Sequence, residues 1–377
     1  MSLTFELNNL RKDSDFSTGK ISQNSPIVEI FSAMTAGKNL SDLKLKDTAG
    51  SPVNVDEGVA YIKELARQAG GGNTYAAVEL NELRTFTVWP LLQEELKLLG
   101  WMGTYTPLGY NDTPYGLMSN LVGEKSRFQA LNGDVVFPAW EYEKYPVATV
   151  SISGGYQVDY RKIQFGDMTD ENIGIEQVRI DIRNRASMYV LWVIYDSISN
   201  AKVKFTAVTS GLNQTALDNI IQKVRRFGDV SVFGDYSVVS QINNFHGYDG
   251  IIPVTGGISQ TALDELRRTG LIGMYKGVVV QEIKNGFNLT KPLPTGDGFE
   301  TYFPQGLLFV IPTGMQSPVR SWTRGGLTSC QGLDVPTGRV MSRFDLEIGA
   351  DVEKKKEFRI GMILDQDLGD VLDPRLN

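Results

Sequence analysis

Three features of the sequence predict an α+β fold. Between Asn172 and Asn200, apolar or small residues recur at steps of three and four, the period of one long helix. From Thr215 onward, helical and β-branched runs alternate, as they do in a compact α/β segment. After Ser317 the chain returns to long alternating runs, which read as strands of a sheet with one wet face.

Residues 1–55 are mostly polar and weakly periodic. Ser14, Asp15, Ser17, Thr18 and Gly19 suggest an extended arm. Asp56 to Ala69 reads as a helix with Val59, Ile62, Leu65 and Ala66 on one face, stopped by Gly70, Gly71 and Gly72. A second helix is expected from Tyr75 to Leu99, with Leu91, Leu92, Leu96 and Leu99 buried. Pro90 is placed to kink it and Gly100 to stop it.

Residues 104–148 are rich in Pro and Gly, with short runs such as Asp134 to Phe137. That pattern predicts a long two-stranded excursion, marginal by itself and in need of something to lean on. A strand follows from Val147 to Ile163, with a bulge or bend expected at Gly154 and Gly155.

The long helix carries Ile175, Val178, Ile182, Ala186, Tyr189, Val193 and Ser197 on one stripe, with Arg179, Arg183 and Arg185 off it. Asp170 is the expected N-cap. In the α/β segment, Leu217, Ile220, Ile221 and Val224 mark a helix and Val230 to Phe233 a strand. Tyr236 to Phe245 reads as a helix and Ile251 to Val254 as a short extended piece. Leu263 to Val280 then reads as a helix end, two turns and a buried strand. Gly270 follows two arginines and suits a helix C-terminus. Gly273 and Gly277 allow further reversals, and Val278 to Val280 are β-branched. This is a shape device with no catalytic chemistry. Gly306 to Gly314 is a buried strand. Ser317 to Thr323, Arg339 to Ile348 and Phe358 to Leu364 are the closing strands, and Lys354, Lys355 and Lys356 are expected at a solvated turn between the last two.

Composition narrows the function. The chain has 377 residues, 41% hydrophobic and 21% charged, the values of a folded protein with a real core. Its net charge of −7 argues against a general nucleic-acid binder, though not against a local basic patch. One cysteine, Cys330, cannot form an internal disulfide, and its Gly325, Gly326 and Gly332 surroundings suggest an incidental residue in a loop. His246 is the one histidine, and with Cys330 it has no metal-ligand spacing. No G-x-S-x-G elbow, P-loop or dinucleotide fingerprint is present. No cofactor, metal or catalytic set is therefore expected, and a structural or binding role is favoured over an enzyme. No apolar run approaches the length of a membrane span, and Met1 to Asn8 lacks a secretory pattern, so the chain is expected in the cytoplasm of the producing cell.

The glycine-marked segment Leu263 to Val280 resembles the central domain of tailed-bacteriophage major capsid proteins with the HK-ninety-seven-like fold. The strand ending Ile311-Pro312-Thr313-Gly314, the run Phe344 to Val352 and the closing run Phe358 to Asp365 are similar too, and the resemblance covers about residues 100 to 365. It implies an N-terminal arm (1–55), a helical region (56–103) and an extended loop (104–148). It further implies a peripheral domain (149–210 and 315–377) with a spine helix (172–200), and an axial domain (211–314). The implied function is a shell of pentamers and hexamers enclosing a phage genome in the virion, assembled in the host cytoplasm.

Within the implied loop, Tyr115, Leu117, Arg127, Phe128, Phe137 and Trp140 are candidates for inter-subunit contact, and Gly270, Gly273 and Gly277 form the axial-domain turn. Portal, scaffold and decoration proteins are further partners of such shells, and packaged DNA would be met without sequence specificity. Residues 1–55 depart from members that begin with a long helical scaffolding segment. A cellular nanocompartment of the encapsulin kind and a soluble α/β enzyme stay open as alternatives.

Overall fold

A computed structural model describes residues 25–35, 38–46, 52–96, 99–119, 142–165, 168–245, 271, 273–293, 296–334 and 336–368. The helices, in chain order, are α1 (Pro26–Thr35), α2 (Val55–Gly70), α3 (Thr74–Leu96), α4 (Leu99–Met102), α5 (Tyr160–Gln164), α6 (Thr169–Asn200), α7 (Gln214–Val224) and α8 (Tyr236–Val239). The strands begin with β1 (Thr104–Leu108), β2 (Tyr115–Ser119), β3 (Tyr142–Pro146), β4 (Val150–Asp159), β5 (Phe205–Thr209), β6 (Val230–Gly234) and β7 (Met274–Tyr275). They continue with β8 (Val278–Glu282), β9 (Phe287–Pro292), β10 (Phe299–Thr301), β11 (Leu307–Pro312), β12 (Val319–Asp334), β13 (Arg339–Val352) and β14 (Gly361–Asp365). The mixture is α+β. The chain forms two compact units, and α6, β12 and β13 each have residues in both.

The first unit holds Met1–Leu96, Val150–Arg183 and Arg324–Glu347. Residues 26–35, read from sequence as part of a weakly periodic arm, form α1 here. Pro26 is its first helical residue, and Ile27, Ile30 and Phe31 fall at i, i+3 and i+4 and are buried. Asn54 caps α2 by accepting from the Asp56 amide at 3.2 Å. Helix α3 keeps Pro90 inside it and buries Leu80, Leu83, Leu92 and Leu96, whereas Leu91, expected on that face, is exposed. Gly100 lies inside α4 and does not act as the stop.

Strand β4 runs unbroken through Gly154 and Gly155, so the glycines do not end it. The glycines serve close approach instead. A Cβ on Gly155 would sit 2.7 Å from the Ser342 carbonyl oxygen, and one on Gly154 3.0 Å from Val178. The first half of α6 buries Ile175, Val178 and Ile182 as expected. Asp170 stands in the first turn of α6, not at its cap, and pairs with Lys162 at 2.5 Å.

Arg84 and Glu171 are fully buried in this unit and form an ion pair. Tyr156 donates to Glu171 at 2.8 Å, and Arg84 donates to Gln331 at 2.6 Å and Asn81 at 2.8 Å. Burial pushes the Tyr156 hydroxyl well above its usual range, and the neighbouring Glu171 adds to this. The hydroxyl therefore stays protonated and keeps donating.

The second unit holds Lys97–Thr149, Asn184–Thr323 and Ile348–Asn377. Its centre is a six-stranded mixed sheet in the order β5-β14-β11-β6-β8-β7. Strands β5 and β14, and β6 and β8, pair in parallel; β11 is antiparallel to both its neighbours. Two strands, β5 and β14, come from outside residues 211–314. Leu217, Ile220, Ile221 and Val224 of α7 pack with Val232, Val310 and Ile363 of the sheet in one core. A Cβ at Gly361 would lie 2.2 Å from Ile220, so the α7 contact requires glycine there. The expected helix at 236–245 is α8 followed by a 3-10 turn, Ser240–Asn244.

In this unit the buried stripe of α6 shifts by one residue from the expected one. Val190, Ile194 and Ile198 are buried, while Tyr189, Val193 and Ser197 are only half-buried. Steps of four from Ala186 keep β-branched residues inward, and the polar Ser197 falls beside them. Strand β12 also corrects an expectation. It continues through Gly325, Gly326 and Cys330, where a loop was read. Both glycines take positive φ (70° and 77°), so the strand deviates locally without ending. Cys330 is exposed.

Candidate assembly site at the hairpin base

Strands β2 and β3 pair antiparallel from Tyr115 opposite Pro146 to Ser119 opposite Tyr142. This two-stranded ribbon is the root of the Pro- and Gly-rich excursion. A ribbon this short needs a support, and the segment after β13 supplies one. Lys354 makes a parallel bridge to Met118, with its amide donating to the Leu117 carbonyl at 3.2 Å.

Side chains tighten the same contact. The Tyr145 hydroxyl donates to Asp351 Oδ2 at 2.5 Å, and the Lys354 ammonium lies 3.8 Å from the centre of the Tyr145 ring. Lys144 sits 4.3 Å above the Tyr115 ring. Gly116 passes beneath Tyr145. A Cβ there would lie 2.3 Å from the ring and 2.5 Å from Asp351, so any other residue would displace one of them. Burial raises the Tyr145 hydroxyl well above its usual range, and the hydrogen bond to Asp351 raises it further. Asp351 is also raised, by burial, against the lowering influence of Tyr145, Lys354 and Arg320.

Lys354 and Lys355 are exposed between the last two strands, as expected, but the run also has a structural part. Lys354 holds the hairpin, and Lys356 is mostly buried and paired with Glu353 at 2.6 Å. Lys355 takes φ 71°, a left-handed turn conformation. The sequence flagged this run only as charge; the partnership of Tyr145 with Asp351 carried no local signal.

Of the sequence candidates, Tyr115 (45% exposed) and Leu117 lie on β2, two residues apart and hence on one face. Arg127, Phe128, Phe137 and Trp140 lie outside the described residues, as do Gly270, His246 and Ile251 to Val254. The Gly273 carbonyl accepts from the Val280 amide at 2.9 Å. Gly277 (φ 77°) follows Lys276 (φ 48°) in the two-residue turn joining β7 to β8. Nothing brings these glycines to the hairpin base. Among the described residues no group of His, Cys, Asp and Glu is arranged to hold a metal, and no helix is long and apolar enough to cross a membrane.

No curated protein matches the chain. Its likenesses among solved structures include phage capsids. The mature capsid of bacteriophage PhiM1 shares 12% identity over 70% of this chain and 85% of that one, with a TM-score of 0.43. The procapsid of satellite phage P4 gives 10% identity, 74% and 90% coverage and 0.45. The head of Helicobacter pylori bacteriophage KHP40 gives 8%, 70% and 86%, and 0.46. Likenesses this distant bear no weight beside a much fuller match in sequence. The family model of the SPbeta prophage-derived putative capsid protein YonB matches residues 6–364, and the chain belongs to that family.

Proposed function

We propose that the chain is the major capsid protein of a tailed bacteriophage, many copies of which close into the icosahedral head shell around the genome. The observation that carries this reading is the capsid-family match over residues 6–364. The hairpin base supports it physically. Tyr145, Asp351 and Lys354 clamp the ribbon at its root, which gives the excursion a fixed point of departure. In this reading residues 1–55 and 104–148 carry much of the contact between subunits, 149–210 and 315–377 form the peripheral domain, and 211–314 the axial domain. The role is structural and involves no catalysis. Assembly takes place in the host cytoplasm, and portal, scaffold or decoration proteins join the shell there.

The test is negative-stain electron microscopy with light scattering on the chain expressed alone and with the head proteins encoded beside it. Closed shells, rings or tubes are expected. A uniform monomer or dimer under both conditions would sink the reading, and particles filled with a host enzyme in place of DNA would convert it to a cellular compartment.

A further inference from the structure

The six-stranded sheet gathers cations at one end. Strands β5, β14, β6 and β8 run in one direction, β5 and β8 each beside a parallel neighbour and both central strands antiparallel to β11. Their N-terminal ends therefore share one edge of the sheet. Lys202 and Lys204 precede β5, and Arg359 precedes β14. Helix α7 ends at the same edge with Lys223, Arg225 and Arg226, because its last turn leads directly into β6.

Aromatic rings bind this set together. Phe227 stacks on Phe205 at 6.5 Å and meets Phe358 edge-on at 5.4 Å. The Lys223 ammonium lies 5.5 Å from the Phe205 centroid and the Arg359 guanidinium 5.6 Å from that of Phe227. Lys202, Lys204, Lys223, Arg225 and Arg226 are exposed. Lys204 donates to the Ser199 carbonyl. Among the described residues, none of the six cations has a carboxylate within ion-pair distance, and the Arg359 Nε is buried without a hydrogen-bond partner.

Several cations elsewhere are matched: Arg84 with Glu171, Arg179 with Glu95 and Glu176, Lys276 with Asp218. In a chain of net charge −7, the six cations on this edge outnumber the carboxylates in the same segments, Asp229 and Glu357. A helix C-terminus favours cations and accounts for Lys223, Arg225 and Arg226. It does not account for Lys202, Lys204 or Arg359, which come from other segments.

We infer that this edge is a binding surface for the phosphates of double-stranded DNA. The ligand chemistry is a dense row of anions with no sequence code. Such a ligand suits flexible, exposed ammonium and guanidinium groups and releases counterions on binding. An acidic face of a second copy is the competing occupant. Its carboxylates would have to match the spacing of six cations from three segments, whereas a phosphate backbone presents charge continuously. The inference rests on the shell reading only in taking that DNA to be the enclosed genome.

The experiment uses the full chain, unassembled, and a mixed-sequence duplex of two dozen base pairs, read by fluorescence anisotropy through a salt series. Wild type is compared with Lys223→Ala/Arg225→Ala/Arg226→Ala and with Arg225→Lys/Arg226→Lys. Loss of three phosphate contacts should lower the slope of log K against log salt by about 2.7 and weaken binding roughly tenfold or more at low salt. The lysine variant should keep most of both, because phosphate reads charge. Shell formation is scored separately by electron microscopy. An unchanged slope, or a wild type that fails to bind, overturns the inference. So does a triple variant that binds DNA normally but no longer assembles, which would make the edge a contact between copies. Absence of shells from wild type would count against the capsid reading alone.

Discussion

Tyr145 and Asp351 meet across the root of a long hairpin, the phenol hydroxyl donating to the carboxylate at 2.5 Å. One residue belongs to the excursion and the other to the end of strand β13 in the same unit. Their bond therefore fixes where the excursion leaves the body. Replacing Tyr145 with Phe keeps the ring under Lys354 but leaves Asp351 half-buried without that donor. A loss of about 1–3 kcal/mol is expected in urea unfolding. Faster proteolytic nicking within 115–146 should accompany it. Unchanged stability and unchanged nicking would mean that the hairpin is held by its backbone contacts alone.

Gly116 makes a sharper test of the same site. Alanine there adds only one carbon, but that carbon would stand 2.3 Å from the Tyr145 ring. Either the ring leaves Asp351 or the strand leaves Lys354. Gly116→Ala is therefore expected to destabilise at least as much as Tyr145→Phe, and the two losses should not add in the double variant, since both break one contact. Additive losses would show that Gly116 matters for another reason.

Asp351 also gives the fold a pH dependence of definite sign. Burial raises its folded pKa above the ordinary 3.8. The folded state thus binds the proton more tightly than the unfolded state. This contribution is fully present below pH 3.8 and is lost as pH rises through the folded value. Asp351→Asn, which mimics the protonated form, should gain stability relative to wild type as pH rises from about 4 to 7. Parallel denaturation series on the two proteins measure this, and a constant difference across that range would contradict it.

The first unit offers a buried test. Arg84 and Glu171 are both 0% exposed, so removing one charge strands the other. Glu171→Gln or Arg84→Met is expected to cost about 3–5 kcal/mol, while Arg84→Met/Glu171→Leu recovers most of that loss. A double variant as unstable as either single one would show that Tyr156, Gln331 and Asn81 depend on the pair more than it depends on them.

These two sites mark the limit of what the sequence could reveal. Periodicity exposes elements that carry their own pattern. Ile175, Val178 and Ile182 of α6, Leu217 to Val224 of α7 and the all-buried β11 were legible because neighbours along the chain share one face. Long-range partners leave no such trace. Gly154 and Gly155 looked like a break because their neighbours Val178 and Ser342 are distant in sequence. Gly325 and Gly326 looked like a loop because a strand can tolerate positive φ only when its partner strand holds it. The stripe of α6 drifted to Tyr189 and Val193 because both are apolar enough to pass for core, and only packing selects Val190 and Ile194. Arg84 did give a hint: a charged residue between Leu83 and Val88 on a buried helix face demands a partner. Its identity, Glu171, was not readable.

The proposed role of the hairpin can be separated from its fold. Ser119 and Tyr142 are paired at the end of the described ribbon, so residues 120–141 can be replaced by Asn-Gly, which closes a two-residue turn between paired strands. The cut retains Tyr115, Gly116, Leu117 and Tyr145, and with them every contact to Asp351 and Lys354. It is gentler than removing Tyr115 to Leu131, which would take β2 away and confuse a folding defect with an assembly defect. The shortened chain should unfold at nearly the same urea concentration as wild type, because the contacts of the root are kept. It should also fail to form shells under conditions where wild type forms them, because the excursion no longer reaches a neighbour. Normal shells from this variant would remove the hairpin from the assembly surface while leaving the capsid assignment itself intact. Loss of the unfolding transition would instead show that residues 120–141 stabilise their own subunit.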